Sequence, residues 1–377
     1  MKKIRLLKEP KTKPKSDAFP YQKEAFESIK DLDYAAIFHE QGLGKTKIAI
    51  DILLYWLEKS SIDTVLIVTK KQLVQNWKNE FIYHTYIKPA ILTDDKKNNY
   101  LVFISPARVI ITNFEILQVE KSQLILYLKT RNVAIIIDEA TKLKNPKSKL
   151  TQTYFELSPL FKKKLILTGT PVANRPYDIW AQIYFLDQGK SLGNNFSEFK
   201  KQTDLSNKLS ENKNLQEAFE EELAGIFEKI RSFSVRKTKN SGIISLPDKI
   251  YIREETELTP EQNALYNKIR EELKVEVIKN GKKIIDDSSA MVKRLLRLVQ
   301  VTSNPLLVDE SFKGKSAKEA VLSELIKSIL AKGEKCIVWT NFIQNVDYFH
   351  KLYSKFGSVK IHGGMRIADR NRSVEKF

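Results

Sequence analysis

A single cysteine, Cys336, stands in a chain of 377 residues, so no internal disulfide and no cysteine-based metal site can form. It lies in the apolar run Lys335-Cys-Ile-Val-Trp-Thr340 and reads as a core residue in a reducing compartment. The four histidines, His39, His84, His350 and His362, show no pair spacing suited to zinc. No apolar run is long and uncharged enough to cross a bilayer, and the basic start, Met1 to Lys15, lacks the apolar stretch of a signal peptide. Glycine (13) and proline (12) are too scarce for a collagen-like or low-complexity chain. Negative charge is the minority: 46 Asp and Glu against 64 Lys and Arg leave +18, a field that attracts polyanions, nucleic acid first among them. Lysine-rich surfaces also serve solubility, so the motifs must decide. The expected location is the cytoplasm, meaning the nucleoid or a virally infected cytoplasm, or the nucleus if the source is eukaryotic.

The length is more than one core comfortably fills, so two domains are expected. The first eighteen residues read as a mobile basic arm. A first domain, 19–240, follows. In it the short β-rich runs Ala35–Phe38, Val65–Val68, Ile110–Thr112, Val133–Ile137 and Leu165–Leu167 alternate with helical patterns. Such continuous apolar strands predict an α/β fold, a parallel sheet covered on both faces with ligands at the carboxyl ends of its strands. From Asn174 to about Ile250 the strands stop and a polar, mainly helical insertion takes over, its lysine-rich and glutamate-rich part running from Lys200 to Glu222. The remainder, 241–377, is read as a helical linker and the opening of a second α/β lobe, with strands at Cys336–Thr340 and Val359–His362.

Chemistry is expected just after the strands. His39-Glu-Gln-Gly-Leu-Gly-Lys-Thr46 sits between a strand and the helical pattern Lys47–Lys59. Glycines let backbone N–H groups turn toward a phosphate, the task that fits Gly42 and Gly44, with Gln41 and Leu43 in the same loop. Lys45 would neutralise the β- and γ-phosphates, and Thr46 would hold Mg2+ through its hydroxyl. The helix that follows points its positive end at the anion. His39 stands where the strict pattern wants glycine. A magnesium nucleotide also needs a carboxylate on a neighbouring strand, and Val133-Ala-Ile-Ile-Ile-Asp-Glu-Ala-Thr141 supplies two: Asp138 to orient the Mg2+ shell and Glu139 to polarise the attacking water. The site so far calls for a nucleoside triphosphate with Mg2+, and the resemblance given next implies that the nucleotide is ATP. Trp180, Tyr184 and Phe185 recur near helical spacing and are read as core rather than as stacking platforms for bases.

These residues together resemble the Swi/Snf branch of the superfamily-two helicase-like ATPases, from about Phe19 to Phe377. Pro20-Tyr21-Gln22 looks like the adenine-recognising motif, with Tyr21 and Gln22 at the base. Gly42-Leu-Gly-Lys-Thr46 looks like motif I, Val65 to Trp77 like motif Ia and Ile111 to Leu117 like motif Ib. Asp138-Glu-Ala-Thr141 resembles the DEAH box and Leu167 to Asn174 motif III. Val235-Arg-Lys-Thr-Lys239 with Leu246-Pro247 resembles the basic linker between lobes, Val299–Pro305 the helix before lobe two, Ile337–Asn341 motif IV, and His362-Gly-Gly364 with Arg370 the segment after it.

The resemblance implies two RecA-like lobes of P-loop NTPase topology and ATP-driven translocation on double-stranded DNA, by a monomer, with remodelling of a protein target on that DNA. It implies phosphate contacts from Lys70, Lys71, Asn113, Lys142, Lys144, Thr170, Arg236, Lys237, Asn304 and Asn341, and coupling through Thr141, Thr168, Gly169 and Thr170. Thr141 stands where the family usually has histidine. The family's motifs V and VI, with the arginine finger, would lie beyond Phe377, so the second lobe is expected to be incomplete and hydrolysis by this chain weak. Two alternatives stay open: a strand-separating helicase, and a nucleotide- and DNA-binding module without turnover.

Overall fold

The computed structural model describes residues 9–59, 61–172, 175–204, 215–239, 247, 249–279 and 288–377. The first part of the basic arm, the end of the segment resembling motif III, much of the lysine-rich insertion, and Leu246 lie outside the described residues. Two compact units emerge, Met1–Leu246 and Pro247–Phe377. Among the described residues no helix is long and apolar enough to cross a membrane.

The first unit is built on seven parallel strands: β1 (Tyr34–Ile37), β2 (Thr64–Thr69), β3 (Ala90–Ile91), β4 (Val109–Asn113), β5 (Val133–Asp138), β6 (Lys163–Leu167) and β7 (Ser234–Val235). Their order across the sheet is β3-β4-β2-β5-β6-β1-β7. Helices α1 (Pro20–Ile29), α2 (Lys45–Glu58), α3 (Val74–His84), α4 (Lys96–Ile104), α5 (Phe114–Val119), α6 (Lys121–Thr130), α7 (Lys149–Leu157), α8 (Trp180–Asp187), α9 (Phe196–Thr203) and α10 (Leu215–Lys229) complete it.

The period-two geometry of a strand splits each apolar run between two cores. Ala35, Ile37, Val65, Ile67, Ala134, Ile136, Leu165 and Leu167 face a core built with α1, α2 and α3. Their neighbours Ala36, Leu66, Val68, Ile135, Ile137 and Ile166 face the other, shared with α4 to α10. Every residue of β2 is buried, which is why its sequence shows no polar alternation. Trp180 and Phe185 lie in the second core, and Trp180 stacks on the half-buried Tyr184 with ring centroids 4.7 Å apart.

The polar stretch after Asn174 is not free of strands: β7 pairs with β1 through Ala36 and Ile37. Two residues are too few for periodicity to reveal.

The second unit carries α11 (Pro260–Lys279), α12 (Ser288–Ser303), α13 (Ala317–Ala331), α14 (Ile343–Leu352) and α15 (Ile367–Lys376). Buried amides knit it together. Gln262 is fully buried, donating to the Val301 carbonyl at 2.7 Å and accepting from the Ala317 N–H at 3.1 Å, and Asn304 donates to Asn345 at 2.9 Å. The strands expected at Cys336–Thr340 and Val359–His362 do not form, because a strand exists only with a hydrogen-bonded neighbour and among the described residues neither segment has one. Ile337 and Trp339 are accordingly 66% and 89% exposed, and Cys336 is half-buried rather than a core residue.

Candidate nucleotide site

The loop after β1 turns on two glycines in left-handed backbone, Gly42 (φ +86°) and Gly44 (φ +66°), the second being the N-cap of α2. Close approach adds to this at 44, where an added Cβ would meet the Gln22 amide nitrogen at 2.1 Å and the Gln22 side chain would have to move. Gln22 is thereby held against the loop: it is buried, its Oε1 accepts from the Phe19 N–H at 2.9 Å, and Tyr21 beside it is buried too. Leu43 is fully buried and pins the loop to the core, while Gln41 is exposed and Thr46 sits half-buried in the first turn of α2.

Lys45 folds back over the loop, its Nζ donating to the carbonyls of His39 (2.9 Å) and Glu40 (3.3 Å). Burial lowers its pKa, opposed by Asp138, Glu139 and Glu40 and reinforced by the ammonium of Lys239. His39 is itself fully buried with its ring 6.4 Å from that of Tyr21, and burial takes its pKa down to about 4. A glycine here would leave unfilled the space that the imidazole occupies.

Asp138 ends β5. Its Oδ2 accepts from Thr69 (3.0 Å) and from the Trp77 indole N–H (2.8 Å), and its Oδ1 from the Glu139 N–H (3.0 Å). Burial raises its pKa, and the bonds from Trp77 and Thr69 work against that rise. The next residue, Glu139, adopts φ +57°, a left-handed conformation costing roughly 1 kcal/mol or more in a side-chain-bearing residue. Its carboxylate pairs with Lys70 at 3.2 Å.

The strand carrying Asp138 is not the neighbour of the strand carrying the loop, as sequence reasoning assumed, because β6 lies between β5 and β1. Gly169, just after β6, bridges the gap: a Cβ there would lie 3.1 Å from Gln41 Cγ and 3.3 Å from Lys45 Nζ. The acidic pair and Lys45 still feel one another across β6.

Thr168 is buried, with its backbone N–H bonded to Ile37 and its hydroxyl accepting from the Thr170 N–H at 3.1 Å, and Thr170 is exposed. Among the described residues the Thr141 side chain makes no hydrogen bond to these threonines or to any other group.

Several residues expected to contact nucleic acid are otherwise engaged. Asn113 is 3% exposed and caps α5, its Oδ1 accepting from the N–H groups of Glu115 and Ile116. Asn304 is buried in the second unit and caps a short turn through Leu306 N–H. Lys237 pairs with Glu24 at 3.1 Å on the α1 side of the loop, and Arg236 stacks on Phe227 at 4.8 Å. Lys70 is held by Glu139. Lys71 and Lys142 pair with Asp94 (2.9 Å) and Glu115 (3.3 Å), but exposed pairs are worth at most about 1 kcal/mol and exchange readily for a phosphate. Lys144, Thr170 and, in the second unit, Asn341 are exposed.

Sequence reasoning missed Trp77 and Thr69 as holders of Asp138, since 61 and 69 residues separate the partners and no local pattern joins them. Asn113 had a legible signal: Asn before Phe-Glu-Ile at the end of a strand is a helix N-cap with an acid in the first turn.

The sheet and its loops belong to the class of α/β folds that gather ligands at the carboxyl ends of parallel strands. The profile of the SNF2-related domain matches residues 21–307, and the chain belongs to that family of SWI/SNF-type ATPase cores. It is 28% identical over 372 residues to an uncharacterized ATP-dependent helicase of Mycoplasma pneumoniae, covering 95% of this chain and 33% of that protein. Against the human SWI/SNF-related matrix-associated actin-dependent regulator of chromatin, subfamily A member 1, it is 25% identical over 358 residues, covering 90% of this chain and 33% of that one. The chain thus spans about a third of the length of these curated relatives. A solved structure of the Sulfolobus solfataricus SWI2/SNF2 ATPase core in complex with double-stranded DNA superposes with a TM-score of 0.52 at 26% identity, covering 99% of this chain and 78% of that one.

Proposed function

We propose that this chain is the nucleotide-hydrolysing part of a DNA-dependent ATPase of the Swi/Snf type, which couples ATP hydrolysis to movement along double-stranded DNA and to remodelling of proteins bound there. The observation that carries the reading is the convergence of the left-handed glycine loop, Lys45, Gly169, Asp138 and Glu139 at the carboxyl ends of β1, β6 and β5. The Sulfolobus core, bound to double-stranded DNA, supports the choice of track, as does the net charge of +18.

The residues present suit a magnesium nucleotide. The loop glycines leave backbone N–H groups free to face phosphate oxygens, and Lys45 needs only to exchange two carbonyl contacts for the anion. Oxygen donors at Thr46 and Asp138 match a hard divalent cation. Three of the four lone-pair positions of Asp138 are already taken by Thr69, Trp77 and Glu139 N–H, so it has one left and would orient a hydrated ion rather than enclose it. Mg2+, when bound, would neutralise charge on the phosphates. Glu139 would position the attacking water and take its proton, with Lys70 fixing where that carboxylate points. Gln22 and Tyr21 would face the base.

The test is phosphate release with and without duplex DNA. Lys45→Ala is expected to lose nucleotide affinity and hydrolysis together, whereas Glu139→Gln should keep MgATP bound and lower turnover by about 10³. Normal turnover by Glu139→Gln would sink the assignment of the base. Triplex displacement without separation of a forked duplex distinguishes a translocase from a helicase.

A further inference from the structure

The segment after β7 does not leave the site. Its backbone runs on beside the phosphate loop: the Phe38 N–H donates to the Val235 carbonyl at 2.8 Å, the Glu40 N–H to the Lys237 carbonyl at 3.0 Å, and the Lys239 N–H to the Glu40 carboxylate at 2.7 Å. This strap delivers the Lys239 side chain onto the loop, where a Cβ on Gly42 would lie 3.7 Å from its Cε and 3.8 Å from its Nζ. The neighbouring cation Lys237 is neutralised by Glu24, but among the described residues Lys239 has no ion-pair partner. Two ammonium groups, Lys45 and Lys239, therefore approach the same loop closely enough for one to disfavour the charge of the other. Like charges brought together at the N-terminus of a helix are repulsive in isolation, and a polyanion lying between them turns that repulsion into attraction.

Resting on the nucleotide reading above, we infer that Lys239 is a second phosphate-binding cation, which reaches the phosphate chain of the nucleotide from the strap that follows β7. Its backbone and side chain divide the work. The N–H anchors the strap to Glu40, while the ammonium meets the ligand. Removing the side chain should therefore leave the strap in place, so Lys239→Ala isolates the contact. Because an ammonium reads charge, its contribution should grow with the number of phosphates.

The experiment is calorimetric titration of the whole chain with MgATP, MgADP and AMP. Lys239→Ala should weaken MgATP about tenfold or more, MgADP less, and AMP hardly at all, with unchanged melting of the free protein. Lys239→Arg should restore most of the loss. Glu40→Gln, which keeps both lysines but loosens the strap, should weaken MgATP by a smaller factor. Equal affinities for all three nucleotides in Lys239→Ala and the parent would overturn the inference while leaving the site intact, provided Lys45→Ala still abolishes binding. A uniform loss across MgATP, MgADP and AMP would make Lys239 structural and overturn it too. If the unaltered chain bound no MgATP, the nucleotide reading itself would fall.

Discussion

Val65–Val68 and Cys336–Trp339 look alike as sequence, each a short apolar run rich in β-branched residues, yet the two units treat them in opposite ways. The first lies in the middle of a sheet with β4 and β5 on its flanks, and none of its four residues is more than 2% exposed. The second makes no ladder among the described residues, and Trp339 is 89% exposed. A buried-strand pattern thus states what a segment requires, and partners decide whether it obtains it. The same contrast separates the two interiors. The first unit is held by aliphatic and aromatic packing on both sheet faces, whereas the second carries buried amides such as Gln262, Asn304 and Asn345 alongside few buried apolar side chains among the described residues.

The largest expected effect that would sharpen this contrast is Ile136→Ala. Ile136 is fully buried in the central strand β5, and its truncation should destabilise the first unit by about 3 kcal/mol, read by denaturant unfolding followed through Trp56 and Trp77. Acid comes next. His39 would take up a proton near its ordinary pKa of 6.5 in the unfolded chain but only at about 4 in the fold, so its depressed pKa contributes stability that is full above 6.5 and lost as pH falls toward 4. The first unit should weaken by up to about 3 kcal/mol across that window, and His39→Gln should flatten the slope. Smaller again, Asn113→Ala and Asn304→Ala should each cost about 1 kcal/mol, the first in the sheet unit and the second in the helical one, as hydrogen exchange of the capped turns would report. Last, Trp339→Ala should change unfolding by less than about 0.5 kcal/mol. A cost for Trp339→Ala equal to that of Ile136→Ala would break the comparison outright.

What was legible in the sequence is what is local. Gly42-Leu-Gly-Lys-Thr46 and Asp138-Glu139 announce themselves because each is a strand end followed by a turn, and the apolar runs that became β1, β2, β4, β5 and β6 are long enough to be read. The strands β3 and β7 have two residues each and give no periodicity. The order of the strands is invisible from spacing, so a reading on neighbouring strands sets Asp138 one strand too close to Lys45. Long-range pairings were equally hidden: Lys237 meets Glu24 across more than 200 residues of chain, in a pair that no local pattern announces.

The strand wedged between the loop strand and the acidic strand has one more consequence. Gly169 touches both Gln41 and Lys45 with hydrogen where any other residue would bring carbon. A side chain at 169 would therefore crowd Gln41 first and Lys45 next, and each would have to give by a few tenths of an ångström.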